Sequence, residues 1–326
     1  MDVPVGVNVT SSLAGWTPYR LESPGMMTPE PIANWCWTEG VEFTEPFFDQ
    51  TIERCFRDPD RLLFQRETPM SDVDAWAHAS PGLRPSGLIF HSSRCGSTLV
   101  SRMLASLAST IVLSEAPPID TAVRADATED DRIRWLRGLV SALGQPRRPA
   151  DRHLVLKLDA WAVFDLRLIR RAFPDTPAVF LYRDPVEILA SHHRRRGYHM
   201  IPGTLDPALL GLEPGDASTL SPDEYMEVVL GCLFAAAARS FGESLLLVDY
   251  AELPRAVVET IAPHFGIDLD PGQHRSLSEV AAQDAKNPSI PFVPAALPTQ
   301  GADTQGPLRA LYQELELLRA APRPRR

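Results

Sequence analysis

From residue 86 onward, short apolar runs alternate with segments of helical periodicity, and this alternation constrains the fold more than any other feature of the sequence. Five runs have the length and composition of buried strands: SGLIFH, STIVLSE, HLVLKLD, TPAVFLYRD and SLLLVDY. Parallel strands need helical crossovers between them, and those crossovers cover both faces of the sheet. The pattern therefore predicts an α/β fold with a P-loop-type parallel sheet flanked by helices.

Residues 1–85 lack this alternation. They are rich in Pro and aromatic side chains, and only the segment near 45–56 has the pattern of a helix. We predict an N-terminal appendage over 1–85, formed mainly of irregular structure that covers apolar surface, and a main α/β domain over 86–326. A role of the appendage in shaping a substrate pocket is the alternative.

The composition argues against several classes of protein. A formal net charge of -10 argues against general binding to nucleic acid or anionic membranes, so any site for a polyanion is local. The four cysteines form no CxxC pair and no zinc-type spacing with His, so we predict neither a disulfide framework nor a metal site. No signal-peptide pattern is present, and no apolar run approaches the ~18 residues that span a bilayer. We therefore expect a cytoplasmic protein without nucleic-acid or membrane partners.

The first predicted strand ends in FHSSRCGSTL, a turn of small residues that leads into a helix. Such a turn presents backbone N–H groups and the positive end of a helix to an anion. We predict a phosphate-binding loop formed by Ser93, Arg94, Cys95, Gly96, Ser97 and Thr98. The loop departs from the pattern GxxxxGK[ST], because residue 91 is His and no Lys precedes Ser97. An ordinary ATP or GTP site is therefore not expected, and Arg94 is the candidate for the missing cation. Taken alone, the loop also fits a purely structural turn.

Charged residues follow the next three predicted strands. Glu115 follows the second strand, Lys157 and Asp159 end the third, and Arg183 follows the fourth. Ligands of parallel α/β sheets bind at the carboxyl ends of the strands. Charges that converge on one edge need a ligand, or one another, to compensate them. The sequence therefore predicts a polar ligand site at this edge.

Two of these segments resemble motifs of one enzyme family. HSSRCGSTL resembles the loop that holds the 5'-phosphosulfate in sulfotransferases that use 3'-phosphoadenosine-5'-phosphosulfate (PAPS). YRDPVEILAS resembles the 3'-phosphate motif of that family, in which an Arg at a strand end and a Ser eight residues later bind the phosphate; Arg183 and Ser191 have that spacing. LVLKLDAW and LLLVDYAEL are similar to the family's third strand and its late strand. The resemblance covers residues 86–268 and is strongest to the branch of tyrosylprotein and bacterial sulfotransferases.

The resemblance implies an enzyme that moves a sulfuryl group from PAPS to a hydroxyl or amine and releases 3',5'-ADP. In that branch an Arg of the first loop, a Glu after the second strand and a Lys at the third strand serve catalysis, which corresponds here to Arg94, Glu115 and Lys157. The small-molecule branch uses a His two residues after that Lys, where this chain has Asp159, so a mechanism based on His is not expected. Glu115 is the favoured base, and Asp159 is the alternative.

Two further segments are candidates for a role at the site. Lys286 lies in DAKNPS, a region from which relatives send a basic residue to the nucleotide. Residues 203–220 carry Gly, Pro, Asp and Ser without periodicity, which predicts a long loop, and we expect this loop to close over the site as a lid.

The sequence leaves the acceptor open among small molecules, carbohydrates and peptides, and it does not predict the oligomeric state. Two other functions also stay open. One is a P-loop kinase, which the predicted sheet favours and the missing Lys disfavours. The other is a non-catalytic protein that binds 3'-phosphorylated nucleotides.

Overall fold

The computed structural model describes residues 13–23, 30–241, 245–287, 289–291 and 306–321. The strands within these residues are β1 (Trp16–Glu22), β2 (Ile32–Trp37), β3 (Arg66–Pro69), β4 (Pro85–His91), β5 (Thr110–Ser114), β6 (His153–Lys157), β7 (Ala178–Tyr182) and β8 (Leu245–Asp249). The α-helices are α1 (Phe48–Phe56), α2 (Pro59–Leu63), α3 (Met70–Ala79), α4 (Ser97–Ala105), α5 (Pro117–Arg124), α6 (Glu129–Leu143), α7 (Leu166–Ala172), α8 (Pro185–Arg194), α9 (Pro222–Arg239), α10 (Ala262–His264), α11 (Pro271–Ala281) and α12 (Pro307–Ala320). None of the described helices is long and apolar enough to cross a membrane.

A five-stranded parallel sheet has the strand order β5-β6-β4-β7-β8. The pairs β5–β6, β4–β7 and β7–β8 are parallel. Every residue of β5, β7 and β8 is buried, which is why these strands read as continuous apolar runs. The α/β class and the parallel sheet predicted from the sequence are confirmed.

The described residues divide into two compact units. The first unit comprises the described residues of 1–86, 104–157 and 167–176. The second comprises those of 87–103, 158–166 and 177–326. Strands β5 and β6 belong to the first unit, whereas most of β4 and all of β7 and β8 belong to the second.

The prediction of mainly irregular structure before residue 86 is wrong for the described residues. Strands β1, β2 and β3 form an antiparallel sheet in that order, and α1, α2 and α3 accompany it. The sequence hides these strands because β1 contains Pro18 at a register shift and the four inner residues of β2 are all buried, so neither strand alternates between apolar and polar residues. The predicted helix near 45–56 is confirmed as α1.

Tryptophans form the centre of the first unit's core. The side chains of Trp35 and Trp76 are 0% and 1% exposed, and their rings meet edge to face with centroids 5.7 Å apart. The indole Nε1–H of Trp35 donates to Thr68 Oγ1 at 2.9 Å. The same core cluster also contains Leu13, Trp16, Leu21, Ala33, Met70, Val73, Ala122, Trp135, Leu139 and Ala142. Trp16, Trp35 and Trp76 are therefore core residues, and a role of the segment before residue 86 in shaping a substrate pocket stays a prediction.

In the second unit, the predicted long loop at 203–220 contains two short 3-10 helices, Pro207–Leu210 and Asp216–Ser218. It buries Leu205, Leu210 and Ala217. The loop is therefore packed through apolar side chains, and its closure over a ligand stays a prediction.

Replacing Trp76 by Ala tests the tryptophan core. We expect Trp76→Ala to lower the free energy of unfolding by about 3–5 kcal/mol, because it removes a buried ring and leaves a cavity beside Trp35. Urea unfolding followed by circular dichroism measures this change. The matched control is Leu63→Ala, at a side chain 77% exposed, which should change stability by no more than about 0.5 kcal/mol. Equal effects of the two substitutions would contradict the assigned core.

Candidate functional site

The loop between β4 and α4 has an unusual backbone. The φ angles of Ser93, Arg94 and Gly96 are 66°, 51° and 83°, all in the left-handed region. For Ser93 and Arg94 this conformation costs on the order of 1–3 kcal/mol each, and such residues concentrate at ligand-binding segments. A Cβ atom on Gly96 would lie 2.6 Å from Leu253 Cδ1 and 3.0 Å from Tyr250 Cδ2. Glycine at residue 96 therefore serves both the turn and its close packing.

Hydrogen bonds fix this loop to the end of β7. The backbone N–H of Ser92 and the thiol of Cys95 both donate to the Leu181 carbonyl, at 2.9 and 3.1 Å. The N–H of Ser93 donates to Nδ1 of His91 at 3.0 Å. The loop is therefore held by the sheet itself rather than by solvent-exposed contacts.

Helix α4 starts at Ser97, directly after the loop. The first N–H groups of a helix have no partner within it, and the helix dipole adds positive potential at the same end. Ser97 and Thr98 thus lie in the first turn, and residues 93–96 lead into it. The structure brings the predicted phosphate-binding residues together in one loop and helix start.

Arg183 follows β7, the strand next to β4 in the sheet. Because His91 is in register with Leu181, the loop after β4 and Arg183 after β7 leave the sheet at neighbouring strand ends. The Nε–H of Arg183 donates to Glu187 Oε2 at 2.5 Å, and the guanidinium lies 4.0 Å from the ring centroid of Tyr250. Arg183 is therefore held in place by an ion pair and a stacked aromatic ring.

Ser191 lies on α8, four residues after Glu187. Residues spaced i and i+4 share one face of a helix, so the carboxylate that pairs with Arg183 and the Ser191 hydroxyl lie on the same face. Asp184 caps this helix, since its Oδ1 accepts the Val186 N–H at 2.9 Å. Joint binding of a phosphate by Arg183 and Ser191 stays a prediction.

Tyr250 is a site residue that the sequence did not reveal. Its ring stacks on Arg183 and also packs beside Gly96, so one side chain touches both of the predicted anion-binding elements. The only sequence signal was its place after β8, in LLLVDYAEL.

Arg94 extends from the loop toward the end of α8. Its Nη2 donates to the carbonyl of Arg195 at 2.5 Å. Burial, together with the positive charges of Arg195 and Arg194, lowers the pKa of Arg94 from its usual value. A cation placed beside other cations favours an anionic ligand.

His192 marks the centre of this positive region. It is fully buried, and its Nδ1 accepts the Gly197 N–H at 3.1 Å. The pKa of His192 is lowered to about 3, mainly by burial and to a smaller extent by His199 and nearby cations. The nearby cations are Arg94, Lys286 and Arg196. The predicted ligand Lys286 therefore lies in the same positive region as Arg94, and His192 itself is neutral at pH 7.

In the first unit, the structure brings Glu115 and Lys157 together. Glu115 follows β5, its N–H donates to the Lys157 carbonyl at 2.7 Å, and Lys157 Nζ donates to Glu115 Oε1. The Lys157 side chain is 1% exposed and that of Glu115 is 26% exposed. A buried ammonium needs such a partner, and Lys157 Nζ also lies 4.9 Å from the ring centroid of Phe47. The pair leaves Glu115 oriented and partly open to solvent.

Asp159, the alternative base, belongs to the second unit. It precedes the 3-10 helix Ala160–Asp165, and its carbonyl accepts the Ala162 N–H at 3.0 Å. The carboxylate that pairs with Lys157 is that of Glu115.

The buried His192 makes fold stability depend on pH. Its pKa in the folded state lies below the ordinary 6.5, so unfolding takes up a proton as pH falls below 6.5, and stability present at neutral pH is lost. We expect a loss of up to about 2 kcal/mol between about pH 7 and about pH 5, measured by urea unfolding. His192→Asn should reduce this loss, whereas His193→Asn, at an exposed ring, should leave it unchanged. If the His192→Asn variant lost as much stability between about pH 7 and about pH 5 as wild type, His192 would not be the source of the pH dependence.

Comparison with known proteins gives matches among solved structures. No protein-family model matches the chain, and no curated protein matches it. The sulfotransferase from Alicyclobacillus acidocaldarius matches at 16% identity and a TM-score of 0.38, over 60% of this chain and 90% of that one. The sulfotransferase domain from the curacin biosynthetic pathway matches at 16% identity and 0.42, over 72% and 98%. Sulfotransferase STF1 from Mycobacterium tuberculosis H37Rv matches at 16% identity and 0.41, over 63% and 75%. All three of these solved structures are sulfotransferases or sulfotransferase domains, the family that the motifs HSSRCGSTL and YRDPVEILAS resemble.

Proposed function

We propose that the protein transfers a sulfuryl group from PAPS to a hydroxyl or amine acceptor and releases 3',5'-ADP. The observation that carries this proposal is the pair of anion-binding elements at the neighbouring ends of β4 and β7, with Tyr250 in contact with both. One element is a loop with left-handed residues before a helix, and the other is an oriented Arg. Two such elements suit a nucleotide that carries anionic groups at both its 5' and 3' positions.

Each element has an assigned end of the nucleotide. The loop residues and Arg94 bind the 5'-phosphosulfate, and Arg183 with Ser191 binds the 3'-phosphate. Lys286 adds positive charge on the side where Arg94 and Arg196 already lie. The loop residues assigned to the 5' end are Ser93, Cys95, Gly96, Ser97 and Thr98.

The proposed reaction is an in-line displacement at sulfur. The acceptor oxygen or nitrogen forms a bond to sulfur while the bond from sulfur to the phosphate oxygen breaks, so negative charge grows on the leaving phosphate. Preorganised N–H groups, Arg94 and Lys157 stabilise that charge. Glu115 takes the proton from the acceptor, and the ion pair with Lys157 orients its carboxylate.

Nucleotide binding tests the proposal before any acceptor is known. Calorimetric titration should give micromolar affinity for 3',5'-ADP and a loss of at least about tenfold for 5'-AMP, because the latter lacks the group assigned to Arg183 and Ser191. Mg-ATP serves as the comparison nucleotide. Tighter binding of Mg-ATP, or equal binding of 3',5'-ADP and 5'-AMP, would overturn the proposal and favour a kinase.

The catalytic assignment is tested with variants of the ion pair. Glu115→Gln and Lys157→Ala should each lower turnover by about two to four orders of magnitude, because they remove the proton acceptor or the buried cation that orients it. Their affinity for 3',5'-ADP should change little. Release of 3',5'-ADP from PAPS, measured with phenolic, sugar and peptide acceptors, gives the rates.

Asp159→Asn is the matched comparison for Glu115→Gln. We expect it to retain more activity than Glu115→Gln, since Glu115 is the carboxylate paired with Lys157. A larger loss in Asp159→Asn would transfer the base role to Asp159. Binding of 3',5'-ADP with no turnover on any acceptor would favour the non-catalytic nucleotide-binding protein.

A further inference from the structure

The C-terminal helix α12 presents one polar face to the second unit. Its residues Arg309, Tyr312, Glu316 and Arg319 recur at intervals of three and four positions, which places them along a single face of the helix. This face contacts the ends of β7 and β8 and the cap of α8. No step of the proposed reaction uses these residues.

On the β7 side, the helix holds both chain neighbours of Arg183. The Tyr182 hydroxyl donates to Glu316 Oε1. Arg309 Nη1 donates to Asp184 Oδ2 at 2.7 Å, while the other oxygen of Asp184 caps α8. The backbone that carries Arg183 is thus fastened to α12 on each side.

On the β8 side, the helix holds residues that flank Tyr250. The Tyr312 hydroxyl donates to Asp249 Oδ2 at 3.3 Å, and Arg319 Nη1 lies 3.3 Å from Glu252 Oε1. Asp249 Oδ1 accepts the Ala251 N–H at 2.7 Å, which shapes the turn around Tyr250. The ring that stacks on Arg183 is therefore fixed by the same helix.

Two of the groups that α12 contacts are buried, whereas the ion pairs of Arg309 with Asp184 and of Arg319 with Glu252 are partly exposed. Tyr182 and Asp249 are both buried, and burial raises the pKa of each. A buried polar group that loses its partner costs about 1–3 kcal/mol, so the face of α12 is held against both strands. Arg319 also donates to the Tyr182 hydroxyl at 3.1 Å, which links the two sets of contacts.

We propose that α12 is a clamp that positions the stack of Arg183 on Tyr250 and so sets the affinity of the protein for the 3'-phosphate of its nucleotide. Arg309 and Tyr312 are positioning residues, because they act through Asp184 and Asp249. This inference rests on the proposed function. It predicts a larger effect on the binding of the 3'-phosphate than on the binding of the 5' end of the nucleotide.

The orientation of Arg183 matters because Glu187 Oε2 already pairs with both Nε and Nη2 of its guanidinium. A phosphate must bind the remaining donors of the guanidinium, whose planar donors have a fixed geometry. If the backbone on either side of Arg183 or Tyr250 can shift, the guanidinium spends less time in the geometry that a phosphate requires. The loop after β4 packs against Tyr250 at Gly96, but its hydrogen bonds to the Leu181 carbonyl also hold it, so we expect it to respond less than Arg183 does.

The experiment compares nucleotides in the full chain. The affinities of wild type, Arg309→Gln, Tyr312→Phe and the double variant for 3',5'-ADP and 5'-AMP are measured by calorimetry. We expect each substitution to weaken 3',5'-ADP binding by about tenfold, with 5'-AMP binding changed less than about twofold. Arg309→Lys keeps a cation for Asp184 and should recover most of the affinity. Glu314→Gln, at an exposed position of the same helix, is the matched control and should match wild type.

The outcomes separate the clamp from the proposed function. Equal weakening of both nucleotides would make α12 a merely structural helix, and unchanged discrimination in the variants would show that it does not act on Arg183; either result overturns the clamp. If wild type itself fails to prefer 3',5'-ADP, the proposed function falls and the clamp falls with it. Tyr312→Phe keeps the ring and removes only the hydroxyl, so a folded variant is obtained even if Arg309→Gln unfolds the protein.

Discussion

The parallel pairing of β4 with β7 determines the arrangement of the second unit. Their register, with His91 beside Leu181, decides which residues leave the two strands together. A slip of one residue would exchange the two faces of one strand relative to the other, and because every residue of β7 is buried, each side chain would then have to pack against new neighbours. The Leu181 carbonyl accepts hydrogen bonds from the Ser92 N–H and the Cys95 thiol, and these bonds hold the loop after β4 against β7. Placement of the loop beside Arg183 is thus a consequence of strand pairing.

The protein has a negative net charge, but cations cluster around one buried side chain of the second unit. The chain carries a net charge of -10, yet Arg94, Arg196 and Lys286 all act on the buried His192 in the second unit. In the first unit, Lys157 is buried and its charge is matched by one carboxylate, that of Glu115. Buried or clustered cations cost free energy unless a partner or ligand compensates them. The local positive region is therefore evidence for an anionic ligand that the overall composition conceals.

How far the sequence predicts this structure depends on how local each feature is. The strands of the parallel sheet are predictable because burial on both faces makes each of them a continuous apolar run. Glu115 directly follows β5 and Lys157 ends the adjacent strand β6, so their pairing follows from the strand order. The antiparallel sheet is not predictable, because Pro18 and the buried run of β2 remove the alternation that indicates such strands. The contacts of Arg309 with Asp184 and of Tyr182 with Glu316 join residues 125 and 134 positions apart, and no local pattern indicates them.

The orientation of Arg183 also depends on residues that are distant in the sequence. A flexible Arg loses on the order of 2 kcal/mol of side-chain entropy when it is fixed, and a site that orders it only on binding loses that amount from its affinity. Here Glu187 and Tyr250 already order the guanidinium, so the cost is met during folding. The guanidinium stays ordered only if the backbone beside it is fixed. Arg183 and Tyr250 directly follow the ends of β7 and β8, where the sheet no longer holds the backbone. A phosphate site at this position therefore needs an element that fixes the backbone on either side of Arg183 and Tyr250. Helix α12 makes such contacts through Arg309 with Asp184 and through Tyr312 with Asp249.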